Sequence, residues 1–459
     1  MLIPFTYRAI FNMDNGYKLP KVDVKGYCCK TNLQSNTAFR GFGGPQGLLV
    51  VENFMDDIAC DLGMDPTELR EKNLLDEGDQ VYYSQVLKHC TLKRCWTECK
   101  NQSSFNELKR QVESWNAVNK WKKRGLSLIP CKFGIAFTGV HMNQGAALVQ
   151  VYTDGSVALS HGGIEMGQGL YTKTIQVASK VLNIPMSMIH IVETGTDKVP
   201  NTSPTAASTG TDLNGMAVKI ACEKILARIQ VVRKVMPEKS SWKDWIAKAY
   251  MERISLSATG FYATPGIGYD WEKNQGNPFG YFVYGVAASL VEIDCLTGDH
   301  NILKTDIVMD VGESINPAID IGQIEGAFAQ GYGLFMMEQM MHSPDGVLLT
   351  RGPGAYKIPG FGDMPSEFNV SLLRGAPNPK AVFSSKAVGE PPLFLAASVF
   401  FAVKEAIRSA RVERGLSKKF TLDAPATAER IRMACEDEMT SKVPMLPSSN
   451  TYKPWGIQL

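Results

Sequence analysis

Glu390 stands in the segment Lys386-Ala387-Val388-Gly389-Glu390-Pro391-Pro392-Leu393-Phe394, a single carboxylate between small and rigid residues. A proline disfavours helical torsions in the residue before it, so Glu390 is expected to be extended. Pro392 suits the first position of a helix. Residues 393–403 are apolar on every side, so the helix they form is predicted to be buried. An acid at the buried start of a helix needs a partner, a proton or a chemical task. General acid–base work is one reading. A carboxylate satisfied by backbone amides at a helix start is the other.

Three small-residue loops could hold a ligand close to such an acid. In Phe39-Arg40-Gly41-Phe42-Gly43-Gly44-Pro45-Gln46, three glycines permit close backbone approach and a helix start offers free amides. Arg40 supplies a fork of donors, and Phe42 a flat face for a ring. In Gly162-Gly163-Ile164-Glu165-Met166-Gly167-Gln168-Gly169, the spacing departs from the dinucleotide fingerprint. Gln168, which both donates and accepts, suits an amide-rich heterocycle or an oxo group at a helix start. In Ser203-Pro204-Thr205-Ala206-Ala207-Ser208-Thr209-Gly210, hydroxyls and small side chains bracket a further helix start. Each loop can equally be a structural turn.

Other chemistries lack their signatures. There is no Walker loop, no H-E-x-x-H and no serine elbow, and the six histidines form no i, i+4 pair. No metal ligated by protein side chains is expected; a large cofactor that carries its own metal and is held by backbone amides fits the glycine loops better. Net charge is +2, which argues against nucleic acid or an anionic membrane as partner. The ten cysteines are dispersed, with no C-x-x-C, as in a reduced, cytosolic protein. Cys90, Cys95 and Cys99 miss the iron–sulfur spacing and read as structural. The N-terminus has no signal-peptide pattern, and no apolar run is long enough to span a bilayer. Asn101, Asn201 and Asn369 open Asn-x-Ser triplets that carry no meaning without secretion. Gly456-Ile457-Gln458-Leu459 is not a clear peroxisomal address.

The elements that must position these residues are mixed. With 459 residues, two or three domains are expected. The chain begins abruptly with packed-looking residues 8–17, as a piece of something longer would. A helix is predicted over 46–62, with Val51, Met55, Ile58 and Leu62 on its buried face. Asp65-Pro66-Thr67-Glu68 starts a second helix, and Ser104-Phe105-Asn106-Glu107 a third with the stripe Phe105, Leu108, Val112 and Trp115. Lys120, Lys122, Lys123 and Arg124 read as the solvated end of that helix.

Asp154-Gly155 marks a hairpin, Thr297-Gly298-Asp299 a second, and Ser241-Trp242-Lys243-Asp244 a helix cap. Helices are predicted over 169–182, 204–232 and 322–340, the last with Gly322, Gly326 and Gly333 available for close packing. Strands and helices without regular alternation argue for an α+β layered fold. The segment 101–126 reads as a helical linker between a region over 1–100 and a second domain over 127–459.

Together these segments identify a family. Arg8-Ala9-Ile10-Phe11-Asn12-Met13-Asp14-Asn15, the Arg40 loop, the Gln168 loop, the Ala207 segment and the Glu390 segment stand in the order seen in molybdenum hydroxylases. The chain resembles the xanthine dehydrogenase/oxidase type more than the aldehyde oxidase type, over essentially its whole length, as a C-terminal molybdopterin-binding region. The resemblance implies that Glu390 is the general base in hydroxylation of a purine, from hypoxanthine to xanthine to urate. It implies that Arg8 neutralises negative charge building on the purine carbonyl; aldehyde oxidases usually lack an arginine there. Phe42 and Phe137 resemble the aromatics that sandwich the substrate, and Thr138 a substrate hydrogen-bond partner. Arg40, Gly167, Gln168, Ala207 and Ser208 resemble contacts to a molybdopterin whose dithiolene holds the molybdenum.

The family enzyme is longer. Its 2Fe-2S and FAD domains and the first part of its molybdenum region, including a substrate-binding Glu, are absent here. The resemblance implies a homodimer for the full enzyme, and a cytoplasmic location with a peroxisomal one left open. Gly139-Val140-His141-Met142 follows Thr138 where vertebrate relatives carry bulkier apolar residues, which would widen the mouth and make it more polar. Two alternatives stay open: an aldehyde or N-heterocycle oxidase of the same family, and a truncated, non-catalytic fragment.

Overall fold

The computed structural model describes residues 2–31, 33–343 and 345–443; the 456–459 terminus lies outside the described residues. Its strands are β1 (Lys122–Ile135), β2 (Gln144–Val151), β3 (Val157–His161), β4 (Ile189–Ile191), β5 (Ser257–Ala263), β6 (Gly268–Asp270), β7 (Gln275–Asn277), β8 (Tyr281–Asp294), β9 (His300–Met309) and β10 (Glu367–Leu372). They form three sheets, ordered β1-β8-β9-β10, β4-β3-β2-β5 and β6-β7. Pairing is mixed: β1, β8 and β9 run antiparallel, while β10 joins β9 in parallel. The architecture is the expected α+β one.

The large sheet is covered on both faces, so β8 is buried almost throughout and does not alternate with polar residues. Val283, Ala287, Val291 and Ile293 point to one side, where they meet the helix Ala397–Glu413 and Leu393 to Leu395 ahead of it. Phe282, Tyr284, Val286 and Ala288 point to the other, where Phe11, Val51, Met55 and Trp96 cover them from the N-terminal helices. As the apolar run predicts, residues 393–403 are buried. The helix sits so close to β1 that a Cβ on Gly125 would lie 1.8 Å from the Ala402 carbonyl oxygen. The small sheet carries helices Leu170–Leu182 and Met216–Val235, packed through Val149, Leu159, Val177, Ala221 and Ile225.

Local signals hold where their partners are local. Asp65 accepts from the amides of Thr67 and Glu68, and Ser241 and Asp244 form a reciprocal capping box. The hairpin pairs Val151 with Val157 around Gly155, which has φ 86°. Strands β8 and β9 join through Gly298 at φ 80°. Cys95 and Cys99 are buried in the core.

Four expectations change. Helix Gly44–Leu62 buries Leu48, Val51, Met55 and Ala59, leaving Ile58 and Leu62 exposed. Gly47 decides this rotation, because its bare Cα faces the Ala9 carbonyl, where a Cβ would come within 2.3 Å. Lys122, Lys123 and Arg124 open β1 and do not end a helix. Lys123 is buried against Asn116 O (2.7 Å) and Glu413, and Arg124 lies over the Trp115 ring at 3.6 Å and pairs with Glu292. The helix expected from 204 begins only at a π turn, Thr211–Gly215, because residues 207 and 208 are left-handed. In helix Pro317–Tyr332, Gly322 and Gly326 face open space; close approaches are at Gly331, against Leu393 O, and, as expected, at Gly333 just beyond it, against Pro359.

Candidate active site

Glu390 is helical, with φ −87° and ψ −38°, not extended. A 3-10 turn, Pro391–Ala396, begins directly after it and leads into the buried helix. The pre-proline preference is overcome by tertiary bonds. The Glu390 amide donates to Ser208 Oγ at 2.7 Å. Its carboxylate accepts from Ser208 Oγ at 3.0 Å and from the Gly41 amide at 3.2 Å. The acid is half-buried and, among the described residues, bonded to no cation, so its carboxylate keeps acceptor capacity.

Backbone strain surrounds it. Ala207 and Ser208 sit at φ 54° and 57°, and Phe42 at φ 46° between Gly41 and Gly43 at 98° and 93°. Each such non-glycine residue costs about 1–3 kcal/mol and persists only where neighbours over-determine it, as at ligand clamps. A Cβ at Gly389 would lie 2.8 Å from Ser208 Oγ, so the two segments touch through a glycine.

Two guanidiniums feel the charge of this acid. Arg40 Nε donates to Gly389 O at 2.5 Å, and an Nη of Arg40 donates to Gln323 Oε1 at 2.9 Å. Arg8 is 3 % exposed. It donates to Gly134 O at 2.7 Å and Ala136 O at 3.0 Å, between the rings of Phe133 and Phe279. Burial pushes both guanidiniums below the usual arginine value, and the Glu390 carboxylate offsets part of that in each.

Arg8 grips the strand end that leads into Phe137 and Thr138. Phe137 is buried and Thr138 half-buried. Phe42 meets Phe5 edge-on at 5.7 Å. Sequence reasoning missed Asn143, which is 3 % exposed and clasps this loop from inside. Its Oδ1 accepts from Phe137 N (2.8 Å), and its Nδ2 donates to Phe137 O (3.0 Å) and Gly139 O (3.2 Å). Gln323, on the helix with bare Gly322 and Gly326, was likewise missed.

The Gln168 loop is held from within. Gln168 Oε1 accepts from Met166 N at 2.5 Å, and Nε2 donates to Ile164 O at 2.8 Å. Glu165 takes the helix-start amides of Gly167, Gly169 and Tyr171 at 2.9, 2.9 and 3.0 Å. Those amides are not free for an anion; the Glu165 cap was legible only as one acid in a glycine turn. The loop rests on the Ala207 segment through Ile164 N to Thr205 Oγ1 at 3.0 Å.

Nothing lies within 4 Å of where a Cβ would stand on Gly322 or Gly326, so the helix backbone around Gln323, whose side chain Arg40 bonds, is open to a ligand. Among the described residues no three His, Cys, Asp or Glu side chains could hold a metal, and no helix is long and apolar enough to cross a membrane.

Residues 98–365 match the molybdopterin cofactor-binding domain family, and residues 2–74 match a second molybdopterin cofactor-binding domain. The chain belongs to the molybdopterin cofactor-binding domain family. It is 59 % identical over 98 % of its length to xanthine dehydrogenase/oxidase of Gallus gallus, and 57 % over 98 % to xanthine dehydrogenase of Calliphora vicina. It spans about a third of the length of those curated relatives (33 % of each). Among solved structures it resembles the aldehyde oxidoreductase of Desulfovibrio desulfuricans, with TM-score 0.78 and 26 % identity over 94 % of this chain and 45 % of that one. Quinoline 2-oxidoreductase of Pseudomonas putida shares the fold at TM-score 0.75 and 22 % identity, covering 87 % of this chain and 53 % of that one.

Proposed function

We propose that the full protein containing this chain is a molybdenum-dependent oxidoreductase of the xanthine dehydrogenase type that hydroxylates purines, hypoxanthine to xanthine to urate. The observation that carries this reading is the 57–59 % identity to proteins named xanthine dehydrogenase, in a chain whose Glu390 is fixed by Ser208 and Gly41. Bound molybdopterin would supply the acceptor for the two electrons released. Glu390 removes the proton from the attacking oxygen, held in place by Ser208 and Gly41. Arg8 stabilises charge developing on the purine carbonyl, strengthened by its dry setting. Phe42 and Phe137 orient the ring, and Thr138 bonds its edge.

The test is Glu390→Gln in the complete enzyme. Urate formation should vanish with molybdenum retained; near-normal turnover defeats the assignment. A second reading, an aldehyde or N-heterocycle oxidase, draws on the likeness to an aldehyde oxidoreductase. It would be favoured if aldehydes turned over well above xanthine and Arg8→Met had little effect. Gly139 and His141 bear on the same choice at the mouth.

The remaining assignments are part of the same proposal. FAD and 2Fe-2S centres lie on the portions of the relatives outside this chain, and the full enzyme is a cytoplasmic homodimer. The segment 101–126 is read as the linker between a region over 1–100 and a second domain over 127–459; it lies inside the second matched span, 98–365. The isolated chain should bind negligible molybdenum and not oxidise xanthine; stoichiometric metal would refute that.

A further inference from the structure

We propose that Tyr281 and Asp212 are positioning residues for Glu390, acting through the backbone amide of Ala387. The inference rests on the reading of Glu390 as general base. The Tyr281 hydroxyl, at the start of β8, donates to Asp212 Oδ2 at 2.7 Å and accepts from Ala387 N at 2.9 Å. Asp212 lies on the π turn Thr211–Gly215, just after Ser208. Such turns abandon the regular helical hydrogen-bond register and recur at functional sites.

The segment leading to Glu390 is thus pinned at successive points. Lys386 N is held by Val311 O (2.8 Å), Ala387 N by Tyr281, Gly389 O by Arg40 (2.5 Å) and Glu390 N by Ser208 (2.7 Å). One of these ties comes from Ser208 itself, and a second runs through Tyr281 to Asp212, so the stretch 208–212 and the acid are linked twice. Ala387 is buried, and without the Tyr281 hydroxyl its amide has no partner.

Among the described residues no cation pairs with Asp212. Lys173, from helix Leu170–Leu182, attracts it but is paired with Asp320 of helix Pro317–Tyr332. Tyr262 of β5 and Tyr281 of β8 face it as neutral phenols, and Asp310, behind Tyr281, is matched by Lys386. Burial therefore raises the Asp212 carboxyl to about 7, with Tyr281 and Lys173 opposing. Ionised Asp212 is the stronger acceptor, so the clamp is tight above neutrality. It slackens as pH falls and Asp212 takes up a proton.

The test uses the full-length, molybdenum-loaded protein, with purine turnover followed between about pH 5.5 and 9 and amide exchange followed across 382–392. Tyr281→Phe should lower kcat about tenfold or more, leave KM within about twofold, retain molybdenum and speed exchange at Ala387. Asp212→Asn offers only a neutral acceptor, as protonated Asp212 does; it should bring kcat at pH 8 down to the level of the acid limb and lose the pH-dependent limb near 7. Wild-type kcat and unchanged exchange in Tyr281→Phe would overturn the proposal, as would an unaltered pH profile in Asp212→Asn. If Tyr281→Phe does not fold, the Asp212→Asn profile decides. A wild-type enzyme that turns over no purine sinks the general-base reading instead, and the exchange comparison then still judges the clamp.

Discussion

Ser208 bonds both ends of Glu390: its hydroxyl accepts from the Glu390 amide at 2.7 Å and donates to the Glu390 carboxylate at 3.0 Å. One side chain thereby fixes the acid relative to its own backbone, and only the left-handed torsion of Ser208 (φ 57°) brings the hydroxyl there. Ser208→Ala should fold and reduce kcat by about tenfold to a hundredfold, the effect of losing one charge-assisted hydrogen bond of about 1.5–3 kcal/mol. Steady-state kinetics on the loaded enzyme measure it. Unchanged kcat would show that Gly41 alone holds the carboxylate.

His161 makes the Gln168 loop acid-sensitive. Its Nδ1 accepts from Gly163 N at 3.2 Å, and Nε2 then donates to Thr174 Oγ1 at 3.2 Å. Burial lowers its pKa to about 4. An unfolded histidine binds its proton near 6.5, so between there and 4 only the unfolded chain is protonated. Stability contributed by neutral His161 is whole above that window and falls as pH drops through it, by roughly 3 kcal/mol in all. Asp14 and Asp212, raised by burial to about 6 and about 7, act with the opposite sign. Urea unfolding of wild type and His161→Gln at neutral and acid pH isolates the histidine: the variant should be less stable at neutrality and flatter towards acid. Parallel pH dependences would count against it.

Lys386 and Asp310 form a buried pair at 2.6 Å, and Asp310 also accepts from Gly312 N and Thr91. Lys386→Met strands a charge in the core next to the Glu390 segment and should cost about 3–5 kcal/mol. Thermal unfolding of the full protein reads this directly. A shift no larger than that of a surface lysine variant would rule out a desolvated pair.

Gly125 marks the contact between β1 and the buried helix. Gly125→Ala places a methyl 1.8 Å from Ala402 O and should destabilise by about 3 kcal/mol. Gly268→Ala, with open space around its Cβ, is the control and should change the midpoint little. Equal melting temperatures for the two variants would contradict the packing described.

The sequence by itself determined what depends on near neighbours. The Asp65 and Ser241 caps, the Asp154-Gly155 hairpin and the buried 393–403 run follow from contacts within a few residues, and they are where they were expected. The resemblance named residues 8, 40, 42, 137, 138, 207, 208 and 390 as candidates, and of these the structure joins the Arg40 loop, Ser208 and the Glu390 segment by hydrogen bonds. Only tertiary structure decided how they act. Glu390 is helical because its bonds come from residues 182 and 349 positions away, which no local preference anticipates. The face of helix Gly44–Leu62 was set by the Ala9 backbone, and the helix-start amides near Gln168 went to Glu165. Asn143, Gln323, Tyr281 and Asp212 had no signature, because an amide, a phenol or a single acid gains meaning only from the distant groups it meets in the fold.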